Sequence, residues 1–168
     1  MRVINSHKRI ITQPIDKVSE LFKTLATTND EIWPSKNWPE IRFNEDLKNG
    51  SRGGHGRIRY TVIAFEAGKY IKFKFTKPDG FDGIHEFSIK VISENTSEIH
   101  HNIKMNTSFK ATFLWVFVIR WLHDALIEEA FDNVQNYFSE ENKSTKYNFW
   151  VRFLRGFYGR QSFQIKQV

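Results

Sequence analysis

The feature that most constrains this chain is the region from Gly54 to Asn106, where four runs of alternating apolar and polar residues follow one another. Alternation with a period of two is typical of strands that bury one face. One long amphipathic pattern, from about Thr112 to Phe138, follows without a domain break and predicts a helix. Because a curved antiparallel sheet and one long helix can enclose a cavity, we expect an α+β domain with an apolar interior.

Shorter patterns precede this region. Residues 2–12 predict a first strand, and residues 14–25 predict a short amphipathic helix with apolar side chains at helical spacing. Residues 40–47 alternate as a second strand. The glycine-rich residues 48–54 are typical of a flexible turn and not of a phosphate-binding loop, because no Gly-Lys-Ser/Thr ending follows. The four later strands are predicted at residues 56–65, 70–76, 84–92 and 98–106.

Composition limits the kind of protein and the kind of site. The 168 residues are 40% hydrophobic, as in an ordinary soluble domain, and the absence of cysteine excludes disulfides and cysteine-ligated zinc or iron–sulfur sites. Residues 1–9 lack the apolar stretch of a signal peptide. The apolar run Phe113–Ile119 is far shorter than the roughly 20 residues of a membrane span. We therefore expect a cytoplasmic protein.

The chain is basic, with a formal net charge of +6. A basic balance can indicate nucleic acid or an anionic membrane surface as a partner. Here no recognised nucleic-acid-binding motif accompanies the charge, so we expect no nucleic-acid partner. The basic residues are scattered in small groups: Lys8 and Arg9; Lys72, Lys74 and Lys77; and Arg152, Arg155 and Arg160.

Several short motifs resemble those of a known superfamily. The matching positions are Ile10-Ile11-x-x-Pro14-x-x-x-Val18, Trp38, Gly54-x-Gly56, Phe65-Glu66-Ala67-Gly68-Lys69-Tyr70-Ile71 and Gly83-x-His85-x-Phe87. Over roughly Val3 to Phe138 the chain resembles the START-like or SRPBCC superfamily, the polyketide cyclase/dehydrase and lipid-transport group that includes the birch-pollen-allergen type. These are motifs of folding and not of chemistry, so they indicate fold better than function.

The resemblance implies a helix-grip fold, which is a curved antiparallel β-sheet wrapped around a long C-terminal α-helix. Residues 1–140 are expected to form this domain. Residues 141–168 are expected to form an extra helical segment, packed on the domain or on a partner.

Strand alternation predicts which side chains face the long helix. The inward face is mostly apolar and aromatic, with Tyr60, His85 and His101 as its few polar groups and Glu45 as a further candidate. By the same alternation, Ala64 and Val91 also point inward. A mostly apolar concavity with a few polar groups is the usual form of a small-molecule site. The predicted ligand-binding residues are Trp33, Trp38, Tyr60, Phe73, Phe75, His85, Phe87, His101, Ile103, Leu122 and Leu126.

The two inward histidines are the candidates for chemistry. His85 or His101 could serve as general acid or base, with Tyr60 stabilising an oxyanion. They equally fit a filled core in which each histidine has a structural hydrogen-bond partner. A metal site would need a third ligand such as Glu45, and no HExxH or similar spacing supports one. We therefore expect no metal and no other cofactor.

The C-terminal pattern, residues 146–161, predicts a further helix with large aromatic residues opposite a basic strip. That combination is what a helix on a membrane surface needs. Gly156 and Gly159 would weaken a free helix, which favours packing on the body or on a second subunit. Peripheral membrane contact and homodimerisation through residues 146–160 both stay open.

The sequence therefore favours a protein that binds a hydrophobic, lipid-like or aromatic small molecule in an internal cavity. The first alternative is a small cyclase/dehydratase-type enzyme that uses a cavity histidine as acid–base. The second alternative is a membrane-surface or protein-interaction module that uses the aromatic, basic C-terminal segment.

Overall fold

The computed structural model describes residues 1–139 and 142–162, and for residues 158–162 the backbone alone. Over these ranges seven strands form one antiparallel sheet, in the order β1-β7-β6-β5-β4-β3-β2. The strands are β1 (Arg2–Ile11), β2 (Arg42–Phe43), β3 (Arg52–His55), β4 (Ile58–Glu66), β5 (Tyr70–Lys77), β6 (Phe81–Ser93) and β7 (Thr96–Thr107).

The helices cover one side of this sheet, as the α+β prediction requires. Helix α1 (Ile15–Phe22) follows β1, and a long helical stretch follows β7. This stretch consists of α2 (Phe109–Leu114), a π-helical turn (Trp115–Ile119) and α3 (Arg120–Tyr137). The last described helix is α4 (Phe149–Ser162).

The long stretch begins at Phe109, three residues before the predicted start at Thr112. The reason is an N-cap, since the Ser108 side chain accepts a hydrogen bond from the backbone N–H of Ala111. The cap satisfies a backbone donor that the first turn would otherwise leave unpaired.

Long-range pairing decides where the first strand lies. β1 pairs with β7 over its whole length, from Arg2 opposite Asn106 to Ile11 opposite Ser97. β6 pairs with the other edge of β7. As a result the inward face of β1 lies directly beside α3, and polar side chains of the strand reach carboxylates of the helix.

The core occupies the space between the sheet and the helices. Its larger part joins α1, the sheet and α3, and includes the fully buried Phe73, Ile99 and Phe131. A smaller part surrounds Trp115 and Phe81 at the α2 end of the sheet. Burying each such side chain contributes about 1.5–3 kcal/mol.

The predicted turn at residues 48–54 is partly wrong, because residues 52–55 form β3. A Cβ added at Gly53 would lie 2.2 Å from the Arg42 carbonyl oxygen. A Cβ added at Gly54 would lie 2.0 Å from the Ile58 carbonyl oxygen. These glycines therefore permit close strand pairing instead of a loose turn. The predicted strand at residues 40–47 shortens to the two residues of β2.

One inward assignment is wrong, and one inward residue is not covered by the helices. A register shift after Val62 turns the end of β4, so that Ala64 lies opposite the outward Lys72 and Phe65 lies opposite the inward Ile71. Phe65 consequently packs against the core in place of Ala64. Val91 is 61% exposed, because β6 extends there beyond the part of the sheet that the helices cover.

Candidate functional site

The structure gathers the central part of the predicted lining into one cluster. The ring of His85, on β6, lies 4.6 Å from Phe73, 4.7 Å from Phe75 and 4.8 Å from Tyr60, measured between ring centroids. These residues come from three neighbouring strands and point the same way. We call Tyr60, Phe73, Phe75, His85, Phe87 and His101 the aromatic–histidine cluster.

His101, on β7, connects this cluster to the long helix. It is 1% exposed, and its ring lies 4.3 Å from Phe87 and 5.7 Å from His85. Across the interface its ring lies 4.8 Å from His123 of α3, which in turn lies 5.7 Å from His7 of β1. Four histidine side chains therefore form a continuous series of neighbours from β6 to β1, in the order His85, His101, His123 and His7.

The other predicted lining residues surround the cluster: Ile103 lies opposite His85 in the sheet, and the rest belong to the same core as Tyr60, Phe73 and Phe87. Trp33 is buried, contacts His55 at 4.8 Å and donates from Nε1 to the Pro39 carbonyl at 3.0 Å. Trp38 donates from Nε1 to Glu129 of α3 at 2.8 Å. Ile103 belongs to the smaller part of the core, while Leu126 and the half-buried Leu122 of α3 belong to the larger part.

Two imidazole nitrogens in the cluster lack the hydrogen bond that buried polar atoms normally make. His85 Nε2 and His101 Nδ1 are buried and have no hydrogen-bond partner among the described residues. Burial, together with the charges of neighbouring histidines, lowers the pKa of His85 and of His101 well below 6.5. Both imidazoles are therefore neutral at neutral pH, and each can offer a nitrogen to a polar group that enters the cluster.

The rings of the cluster contact one another, so its interior is closed in this conformation. Two cavities on the described part of the chain instead open at the surface. One, of about 360 Å³, is lined by residues 1–6 together with Trp115, Arg120 and Asp124. The other, of about 290 Å³, lies between the end of β1 and the C-terminal end of α3.

A polar network joins β1 to α3. His7 Nδ1 lies 2.7 Å from Glu128 Oε1, and His7 Nε2 lies 3.1 Å from Asp124 Oδ1. Arg9 donates to Glu128 at 2.6 Å and to Asp132 at 2.9 Å. Burial alone would lower the pKa of His7, but the hydrogen bonds and charges of Asp124 and Glu128 outweigh it and raise this pKa to about 9. Hydrogen bonds from the same histidine lower the pKa of Glu128.

Sequence reasoning missed this network, although a signal for it exists. Polar residues recur at a period of two in the first strand, at positions 5, 7 and 9. Acidic residues recur every four positions in the long helix, at 124, 128 and 132. A polar strip on a strand and an acidic strip on a helix are complementary once the two elements are known to pack together.

Exposed aromatic side chains on α2, the π-helical turn and α4 form a surface that we call the aromatic surface. The N–H of Trp150 Nε1 donates to the Phe117 carbonyl at 2.9 Å and ties α4 to the π-helical turn. Val151 and Leu154 of α4 are buried against the body. Tyr158 and Arg160 belong to the predicted C-terminal helix, and their side chains are not among those that the structure describes. The aromatic surface consists of Phe109, Phe113, Phe117, Phe149, Trp150, Phe153 and Phe157, which are 38–80% exposed.

Comparisons with known proteins support the fold. No protein-family model matches the chain, and no curated protein matches it. A Thermobifida fusca protein solved by NMR has a TM-score of 0.62 at 8% identity, covering 86% of this chain and 99% of that one. Norcoclaurine synthase from Thalictrum flavum, solved as a point mutant with a transition state analogue, has a TM-score of 0.60 at 9% identity, covering 83% and 98%.

CalU16 from Micromonospora echinospora has a TM-score of 0.55 at 12% identity and covers 100% of this chain and 98% of that one. Likeness at such low identity shows the fold alone. The chain has the helix-grip fold. Within its described residues, no helix combines the length and the apolar character that crossing a membrane requires.

Proposed function

We propose that the protein binds a hydrophobic small molecule, lipid-like or aromatic, between the sheet and α3 at the aromatic–histidine cluster. The observation that carries this proposal is a pair of buried nitrogens, His85 Nε2 and His101 Nδ1, for which the described residues provide no hydrogen-bond partner. Leaving a buried polar group without a hydrogen bond costs about 1–3 kcal/mol. A ligand hydroxyl or carbonyl that reached these nitrogens would remove that cost, so the expected ligand is apolar with one polar end.

The fold likeness supports the same conclusion. The norcoclaurine synthase of this fold was solved with a transition state analogue, so a helix-grip protein can hold a small molecule. Because the rings of Tyr60, Phe73 and His85 contact one another here, the ligand must separate α3 from the sheet or turn these rings. The π-helical turn before α3 is the expected hinge, since single π-helical turns are frequent at functional sites.

A matched pair of probes tests the role of the nitrogens. 1-Naphthol and naphthalene have the same aromatic frame and differ by one hydroxyl. Wild-type protein should bind 1-naphthol about tenfold more tightly than naphthalene, as one new hydrogen bond predicts. The double substitution His85→Phe/His101→Phe keeps ring volume and should remove that preference. Retention of the preference in a folded double variant would overturn the proposal.

Acid–base catalysis at the same cluster stays an alternative prediction. The lowered pKa of His85 and His101 suits a base and not an acid at neutral pH. Turnover of a bound compound, lost in the His85→Phe/His101→Phe variant while affinity for naphthalene persists, would identify an enzyme.

The aromatic surface favours a second function, peripheral binding to an anionic lipid bilayer. Phe109 is 80% exposed and Phe149 is 77% exposed, and both stand among further exposed rings. Residues 108–123 and 142–168 contain lysine and arginine but no acidic residue. Exposed aromatic side chains with cationic neighbours are suited to a negatively charged membrane interface.

Vesicle sedimentation tests this second function. The full chain should bind phosphatidylcholine vesicles that contain phosphatidylserine and should bind pure phosphatidylcholine more weakly. Phe113→Ser combined with Phe153→Ser should abolish binding, whereas Val91→Ser, an exposed apolar residue on the far hairpin, should leave it unchanged. Self-association through this surface, seen by analytical ultracentrifugation and lost in the same variant, would assign it to a dimer instead.

A further inference from the structure

Three metal-ligating side chains converge where β1 meets α3. His7, His123 and Asp124 each offer a donor atom, and these atoms lie within 4.8 Å of one another. Asp124 Oδ1 is 3.1 Å from His7 Nε2 and 3.4 Å from His123 Nδ1. Donors bound to zinc at 2.0–2.1 Å in a tetrahedral site are about 3.3 Å apart. Both distances are close to that spacing, and the third pair of donor atoms lies within 4.8 Å.

The surroundings orient His7 as a metal ligand requires. A ligating histidine almost always has its second ring nitrogen hydrogen-bonded to a carboxylate or carbonyl. Here Nδ1 of His7 is held by Glu128 at 2.7 Å, and Arg9 holds the other Glu128 oxygen at 2.6 Å. This arrangement directs Nε2 of His7 toward Asp124, and a metal bound there would displace the proton that His7 carries at neutral pH.

A further oxygen and a path from solvent complete the arrangement. Asn5 donates from Nδ2 to Asp124 Oδ1 at 2.9 Å, while its own Oδ1 is buried without a hydrogen-bond partner among the described residues. A buried oxygen without a hydrogen-bond partner, lying beside the three metal-ligating atoms, would be satisfied by a cation or by a hydrogen-bond donor. The cavity of about 360 Å³ is lined by Asn5, Asp124 and the cationic Arg120, so it opens the Asp124 side of the cluster to solvent.

We propose that β1 and α3 form a binding site for a divalent transition metal of the zinc class, with His7, His123 and Asp124 as its protein ligands. Two imidazoles and one carboxylate suit Zn²⁺, Co²⁺ or Fe²⁺, whereas Mg²⁺ and Ca²⁺ prefer oxygen ligands alone. Three protein ligands leave a coordination position for water or for a small molecule that enters from the cavity.

The site differs from the one weighed from sequence, a His85/His101 pair with Glu45. Glu45 instead forms a surface ion pair with Lys48. No sequence motif could have predicted the proposed ligands, because His7 and Asp124 are 117 residues apart. They meet only through the pairing of β1 with β7.

An ion-pair network that merely ties β1 to α3 is the competing explanation, and cobalt titration separates the two. Full-length protein treated with a chelator should bind one Co²⁺ per chain, with visible d–d absorption that Zn²⁺ abolishes. Asp124→Asn and His123→Gln should each weaken binding at least about tenfold, and Glu128→Gln about 10–100-fold. His100→Gln, which alters a histidine beside Glu98 and away from the proposed ligands, should have no effect.

A measurement on the wild type covers the case in which a ligand variant does not fold. On addition of Zn²⁺, the imidazole NMR signals of His7 and His123 should shift together and saturate at one equivalent. The proposal is overturned if Co²⁺ binds no more tightly than about 1 mM. It is equally overturned if folded Asp124→Asn binds as wild type, or if the saturating signals belong to other histidines.

Discussion

The burial of His85 predicts a specific loss of stability in mild acid. The side chain is 5% exposed, and burial lowers its pKa well below the 6.5 of the unfolded chain. Above about pH 6.5 the imidazole is neutral in both states and has no effect on the pH dependence. Below that pH the unfolded chain takes up a proton that the folded chain does not. The free energy of unfolding therefore falls as the pH falls.

The magnitude follows from proton linkage. One histidine protonated only in the unfolded state changes the free energy of unfolding by about 1.4 kcal/mol per pH unit. As the pH falls from about 7.5 to about 5, the free energy of unfolding therefore decreases by about 2 kcal/mol through His85. His55, whose pKa is lowered to about 3 by burial and nearby positive charge, adds a loss of the same sign.

Other histidines also titrate in this window. Burial lowers the pKa of His101 and of His123, so both add losses of the same sign as His85. The pKa of His7 is raised to about 9, so its stabilisation is complete below about pH 6.5 and is lost as the pH rises from about 6.5 to about 9. His7 therefore opposes the trend of His85 in the upper part of the window, above about pH 6.5. The pKa of Glu128 is lowered, so its stabilisation is lost only in stronger acid, below about pH 4.5.

Urea unfolding from about pH 5 to about pH 7.5 provides the assay. His85→Phe should reduce the pH slope by about 1.4 kcal/mol per pH unit below about pH 6, and the total pH-dependent loss over this range by about 2 kcal/mol, because it removes the titrating group and keeps the ring stacked on Phe73 and Phe75. Ile71→Val, at another buried position, should lower stability by about 1 kcal/mol at every pH without changing the slope. Parallel curves for wild type and His85→Phe would refute the reasoning.

The remaining predictions concern the fold and use thermal or urea unfolding. Gly53→Ala should lower the free energy of unfolding by more than about 2 kcal/mol, because the new Cβ meets the Arg42 carbonyl at 2.2 Å. Gly156→Ala, with no described atom within 4 Å of the new Cβ, should raise it by about 0.5–1 kcal/mol. Equal effects at the two sites would contradict the close approach. Ser108→Ala should lower the free energy of unfolding by about 1 kcal/mol through loss of the α2 cap, and an unchanged melting temperature would argue against that cap. Phe131→Ala should cost about 3–5 kcal/mol, and a loss below about 1 kcal/mol would mean that the site is not core.

Local patterns predicted most of the fold because they depend on neighbours in the chain. Successive strand residues face opposite sides whatever the strand pairs with, so the alternation in residues 70–106 correctly placed Phe73, His85 and His101 on the inner face. The same reasoning failed at Ala64, because residues 62–65 are all apolar and do not show at which of them the bulge shifts the register. It also failed at Gly53, since glycine permits both a loose turn and a close strand contact.

By itself, then, the sequence determined the order of the elements, the inward faces of the later strands and the aromatic character of the interior. Only the tertiary structure decided that the rings of the cluster contact one another and that two of its histidine nitrogens have no partner among the described residues. Only it brought His7 to His123 and Asp124. The physical reason is that periodicity records which way a side chain faces, whereas the distance between side chains from distant segments is set by strand register and helix packing.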